Sequence, residues 1–232
     1  MLAIITTIMT TTTSDALLRL IRLLTWLSPA FPTGGFAYNH GLEWSVEAGD
    51  VTDEATLRDW VADVLCHGGG RSDTILLRHA HGASPDDLPA LCALGIALGF
   101  GRERRLETRD QGAAFARAGA VWGGPRVTVL ADASVPYPVA VGALAADHGI
   151  EADLACAAYL QAFAGSLVSA AVRLIPIGQT AGLRVVSLLE PVIAELVEET
   201  RRTELDDIGG ACFRSDIAAL RHETQRTRLF RT

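Results

Sequence analysis

Histidine, cysteine and carboxylate side chains are the groups that could do chemistry, and their spacings come first. His40 and Glu43 stand three residues apart. On a helix that spacing puts an imidazole and a carboxylate on one face, where both could reach one metal ion. Cys66 and His67 are adjacent, beside the run Gly68-Gly69-Gly70. His79 and His81 are two apart and diverge on a helix. None of these is an established metal-ligand spacing, and a surface or hydrogen-bonded histidine explains each. His40, Cys66 and His67 are the candidates for a weak or transient nickel or zinc contact. Cys66, Cys92, Cys156 and Cys212 form no C-x-x-C pair and read as buried free thiols in a reducing compartment. No nucleophile motif appears: Gly165-Ser166 is not a G-x-S-x-G elbow. His222-Glu223 does not extend to H-E-x-x-H, because position 226 is arginine. The carboxylate pairs Asp86-Asp87 and Asp206-Asp207 suit caps and turns. The chain has no lysine, so all 20 basic residues are arginine. That excludes lysine Schiff-base chemistry and a Walker A phosphate loop. The sequence therefore points away from an enzyme and from a tightly bound cofactor.

The elements that carry these residues read as helices. The 232 residues suffice for one large domain, and 49% hydrophobic against 20% charged residues is a globular balance. Met1–Thr13 lacks a basic n-region and ends in a threonine run, so it is expected to be disordered and not a signal peptide. Ser14-Asp15 is the expected first helix start, with Leu17, Leu20, Ile21 and Leu24 on one face. Ser28-Pro29 should end that helix, and residues 28–35 should form a stiff turn. Helical patterns follow over 36–47, 53–66, 72–81, 86–99, 102–119, 138–148, 151–174 and 180–202. Asp53 or Thr52 caps the clearest of them, and Pro191 kinks or divides the last. Residues 125–138 are the least regular, with Val127–Leu130 as the only strand-like run. The fold class is all-α: one helical domain of about eight to ten helices over 14–213, followed by a tail over 214–232.

Residues 154–172 carry no charge, nearly the length a bilayer requires. Alanine dominates them and Gln161, Ser166 and Ser169 interrupt, which favours a buried central helix over a membrane span. Ala157, Ala158, Ala162 and Gly165 would permit close helix contact, including with a second copy. The run 102–110 alternates sign and reads as a solvated face, with an arginine-bearing docking face as the sharper alternative.

The tail stands apart. Its five arginines outnumber Asp216 and Glu223, giving +3 and leaving −10 on residues 1–213. Such a tail can fold back on its own body, reach nucleic acid or meet a partner protein. The mixture with Leu220, Leu229 and Phe230 favours a partner-binding segment that orders on binding. A net charge of −7 argues against nucleic acid.

Three segments resemble the UreF family of urease accessory proteins. The run Ser28-Pro29-Ala30-Phe31-Pro32-Thr33-Gly34-Gly35-Phe36-Ala37-Tyr38-Asn39-His40-Gly41-Leu42-Glu43 is similar to its Ser-Pro-x-Phe-Pro-x-Gly-x-Phe-x-Tyr-Ser-x-Gly-Leu-Glu signature. Residues 165–179 look like its central helix and exit. Asp216 to Gln225 with Arg228-Leu229-Phe230-Arg231 resembles its C-terminal tail. The resemblance implies an all-helical cytoplasmic homodimer that bridges UreD (also called UreH) and the GTPase UreG, and nickel handled by that complex for apo-urease. By that likeness Tyr38, Glu43, Arg221, His222, Glu223, Gln225, Arg228, Leu229 and Phe230 are expected partner-binding residues. The alternative is a GTPase-activating partner of UreG that supplies an arginine.

Overall fold

A computed structural model describes the backbone of residues 2–131 and 133–231, and side-chain surroundings from residue 13 onward. Every regular element among them is helical. The α-helices are α1 (Leu2–Trp26), α2 (Leu42–Glu47), α3 (Glu54–His67), α4 (Gly69–Gly82), α5 (Leu88–Ala97) and α6 (Gly101–Gly119). They continue as α7 (Pro125–Leu130), α8 (Tyr137–Asp147), α9 (Ala152–Leu174), α10 (Gly178–Glu199) and α11 (Phe213–His222). The six-residue α2 and α7 are little more than turns.

The middle of the chain follows its local signals. Asp53 accepts from the Thr56 amide at 2.9 Å while the Thr56 hydroxyl accepts from the Asp53 amide at 3.0 Å, a reciprocal cap on α3. Leu57, Trp60, Val61, Val64 and Leu65 are its buried face. α8 stops before Gly149, whose φ of +61° suits a residue without Cβ. Apolar α9 lies at the centre, against α3, α4, α8 and α10. By length and composition it is the one described helix that could cross a bilayer, yet half of its most apolar window is buried in the fold, as in a core helix. α4 and α6 cover α8.

Three expectations need correction, and one is narrowed. The segment expected to be disordered over 1–13 is helical from Leu2, so Ser14 is not a cap. No glycine or proline interrupts residues 1–26, and threonine costs a helix well under 1 kcal/mol per residue. The side chains of residues 1–12 lie outside the described set. Val127–Leu130 is a helical turn, not strand-like: Pro125 opens α7, and the Asp147 carboxylate accepts from the amides of Arg126 and Val127, both at 3.0 Å. Of the two alternatives for Pro191, a new segment is excluded, because α10 runs through it unbroken. Finally, residues 214–231 are not a free tail: α11 packs on α2 and α6.

Candidate functional site

The signature turn is built to receive the tail. Phe31 donates its amide to the Ser28 carbonyl at 2.9 Å, and Gly34 takes a φ of +74°. A short 3-10 turn, Gly35–Ala37, follows. His40 is the only described non-glycine residue at positive φ (+58°), a conformation that costs most side chains about 1 kcal/mol or more. Gly41 is demanded by contact as well as conformation. At its φ of +80°, a Cβ would lie 2.4 Å from the Ala219 nitrogen in α11. The turn and the tail helix thus meet backbone to backbone.

Around that contact two buried carboxylates, Glu43 from α2 and Glu103 from α6, gather the tail's donors. His222 is fully buried, with Nδ1 2.7 Å from Glu103 and Nε2 3.2 Å from Glu43. Glu43 also accepts the Leu229 amide at 2.7 Å and the Phe230 amide at 3.1 Å. The second Glu103 oxygen accepts from Arg228 at 2.6 Å. Glu223 accepts from the Arg102 and Glu103 amides, at 2.6 and 3.2 Å. It thereby caps α6, whose own N-cap residue, Phe100, has no cap oxygen. Gln225 donates to Glu47 at 2.5 Å. The Arg173 guanidinium stacks 4.4 Å above the buried Phe230 ring, and the Arg231 amide reaches the Ala37 carbonyl at 2.7 Å. Tyr38 is buried beside Arg231, and burial pushes its phenol pKa up.

The expected partner-binding residues therefore converge, but in an unexpected way. Tyr38, Glu43, His222, Glu223, Gln225, Arg228 and Phe230 hold the tail on its own body. A tail that waits for a partner before ordering is the expectation this corrects. Two buried carboxylates need donors, and the tail supplies them. Arg221, Arg228 and Leu229 are the exposed members of the expected set, and of these the Arg228 side chain reaches back to Glu103. Beside them Phe213 (71% exposed), Ile217 (55%) and Leu220 form an outward apolar stripe along α11.

The sequence reading missed Glu103, Glu47, Arg173 and Arg231. Glu103 lay in the run read as a solvated face. In fact Glu103, Glu107, Gln111 and Phe115, each four apart, are buried on one side of α6. That four-residue spacing was the available signal, hidden by the exposed arginines between. Glu107 pairs with Arg104, which lies alongside His40. Burial alone would raise the Glu107 carboxyl, but Arg104 and His40 beside it hold its pKa at about 2.

The metal candidates do not come together. His40 Nε2 lies 3.0 Å from Glu107 and 2.5 Å from Arg104, so that nitrogen is already engaged. Burial, reinforced by Arg104, lowers its pKa to about 4, and the ring is neutral at pH 7. Glu43 is committed to the tail and does not join His40. Burial pushes the Cys66 thiol up, away from the thiolate a metal requires, and His67 is exposed. Among the described residues no group of three or more His, Cys, Asp or Glu could hold a metal ion. Tyr38, His40, Glu107, Gln111 and Arg173 instead line a cavity of about 380 Å³ beside the end of the tail.

The UreF family model matches residues 51–190, which lie between the signature turn and the tail. The chain belongs to the UreF family of urease accessory proteins. A urease accessory protein UreF of Bradyrhizobium sp. (strain BTAi1 / ATCC BAA-1182) is 49% identical over 220 residues, covering 92% of each chain. Another, of Cereibacter sphaeroides (strain KD131 / KCTC 12085), is 49% identical over 214 residues, 92% of this chain and 98% of its own. A third, of Methylobacterium sp. (strain 4-46), is 49% identical over 218 residues, 90% and 87% respectively. These alignments cover nine-tenths of a fold that is all-α as the sequence implied.

Proposed function

We propose that this UreF-family chain is a non-catalytic cytoplasmic scaffold that bridges a UreD/UreH protein and the GTPase UreG while nickel is delivered to apo-urease. Nickel is cargo of the assembly and no cofactor is bound tightly. The observation that carries the reading is the latched tail. Its inner side is consumed by Glu43 and Glu103, while Phe213, Ile217, Leu220 and Leu229 face outward among Arg214 and Arg221. An apolar stripe with arginines at its flank is the composition of a protein-binding hot spot, and folding it back pre-organises it. The UreD-type protein docks on this face. Homodimerisation uses the apolar groove between α1 and α9, lined by Leu20, Leu24, Leu154 and Ala158, with a volume of about 620 Å³.

The test is co-elution with a UreD-type protein on a sizing column with mass detection, comparing the native chain with Ile217→Asp/Leu229→Asp. Both changes lie on the outward face and leave the latch intact. Loss of the complex with an unchanged helical spectrum supports the docking face. Retained binding moves the interface elsewhere on the helical body, and failure of the native chain to bind removes the partner assignment.

A further inference from the structure

Arg104, which lies against His40 and Glu107 of the first cavity, itself lines a second, polar one. This second cavity occupies about 240 Å³ between the α3–α4 junction, α5, the start of α6 and α11. Gly68, Gly69, Gly95, Gly99, Gly209 and Gly210 form much of its wall. Several of these positions admit no side chain: a Cβ would lie 2.4 Å from the His67 carbonyl at Gly210 and 2.6 Å from Pro136 at Gly95. These glycines let the wall of the cavity pack closely against the backbone and ring behind it. Two acids face it, Asp73 from α4 and Asp216 from α11. Asp73 accepts from the Tyr159 hydroxyl at 2.7 Å. Among the described residues neither acid makes an ion pair, in a protein where most inward-facing carboxylates do. Burial pushes Asp73 up to about 6 and raises Asp216 as well, even with Arg104 opposing. Arg104 cannot neutralise them fully because Glu107 already takes its charge. The mouth is apolar: Phe100 is exposed at the rim, and Leu220 lies beside Gly101 next to it.

We propose that this glycine-lined cavity is a socket for an arginine side chain presented by a partner protein. Charge complementarity selects a cation, since the lining carries two acids without an ion pair against one guanidinium, Arg104, that Glu107 already pairs. The fork of five donors on a guanidinium can address two acids on different helices at once, which a lysine ammonium does less well. The Phe100 ring offers a stacking surface for the same group. The apolar rim, continuous with the outward stripe of α11, selects a protein-borne arginine with apolar neighbours over a small free amine.

The test uses the isolated full chain and no urease protein, so it fails or succeeds separately from the bridging role. Backbone amide shifts of Gly68, Gly69, Gly209 and Gly210 are followed by NMR during titration with N-acetylarginine amide. N-acetylcitrulline amide, the uncharged near-isostere, and the peptide acetyl-Leu-Arg-Leu-amide are titrated in parallel. The expected result is saturable shifts with the arginine compound, none with citrulline, and several-fold tighter binding of the peptide. Asp73→Asn/Asp216→Asn, which keeps side-chain shape, should weaken the peptide at least tenfold. Absence of saturable shifts, an equal citrulline response, or full binding by the double variant overturns the socket. A peptide no tighter than the amino-acid amide would make it a site for a small free cation and overturn the docking role.

Discussion

Glu43→Gln is the perturbation that probes the tail latch most sharply. The carboxylate sits on α2, is buried, and accepts from His222, the Leu229 amide and the Phe230 amide. Glutamine keeps the shape but removes the charge and turns one acceptor oxygen into a donor. At least one of the three donors then loses its acceptor in a buried setting. A hydrogen bond to a charged group contributes about 1.5–3 kcal/mol, and breaking one partner of a buried ionic network costs about 3–5 kcal/mol. The tail joins the body largely through this network, so the cost falls on local undocking before global unfolding. At about 1.4 kcal/mol per decade, 3–5 kcal/mol corresponds to roughly 10²–10⁴-fold faster amide hydrogen exchange at Leu229 and Phe230. Amides in α3 and α9 should change much less. Leu229→Ala, whose side chain is exposed, serves as the control and should leave both sets unchanged. The reasoning is refuted if the native Leu229 and Phe230 amides already exchange as in an unstructured peptide. Equal acceleration throughout the chain would refute it too, because the tail would then not be a separable unit.

Asp53→Ala removes the cap of α3 and should cost about 1 kcal/mol, lowering Tm by roughly 2–4 °C in calorimetry. Gly112→Ala places a Cβ 1.9 Å from the Val135 carbonyl, so α6 must move off the backbone that leads into α8; a loss of about 1–3 kcal/mol in urea unfolding is expected. Burial holds the folded pKa of Asp73 at about 6, above the ordinary aspartate value of 3.8. The folded state therefore binds this proton more tightly, and its contribution to stability falls as pH rises from about 4 to 6. Asp73→Asn should accordingly be neutral below pH 4 and stabilise the chain above pH 6, by at most about 3 kcal/mol, read from urea midpoints across pH. Trading that stability for a charged cavity is the pattern expected of a binding site.

Much of the helical body was legible because its signals are local. The Asp53 cap, the apolar face Leu57–Leu65 and the stop at Gly149 act within a few residues of themselves. The chemistry of the tail was not legible for the opposite reason. His222 meets Glu43 and Glu103 across 179 and 119 positions of chain, and no spacing rule reports such a meeting. The same holds for Glu223, which caps a helix that begins 122 residues earlier, and for Asp147, which caps α7 from the end of α8. The run 102–110 misled because its exposed arginines and its buried Glu103 and Glu107 interleave, and composition averages the two faces. The first helix misled because a threonine run and a Ser-Asp pair resemble a start signal but do not stop a helix already under way.

Bridging is the central claim, and three-component mass measurement tests it most directly. A UreD-type protein and UreG, each homogeneous, would be run on a sizing column with light scattering, together and with or without this chain. The account predicts that the two partners elute apart alone and co-elute in one complex when the chain is added. Ile217→Asp/Leu229→Asp should abolish that complex. Association of the two partners without the chain, or binding of the chain to only one of them, would contradict it.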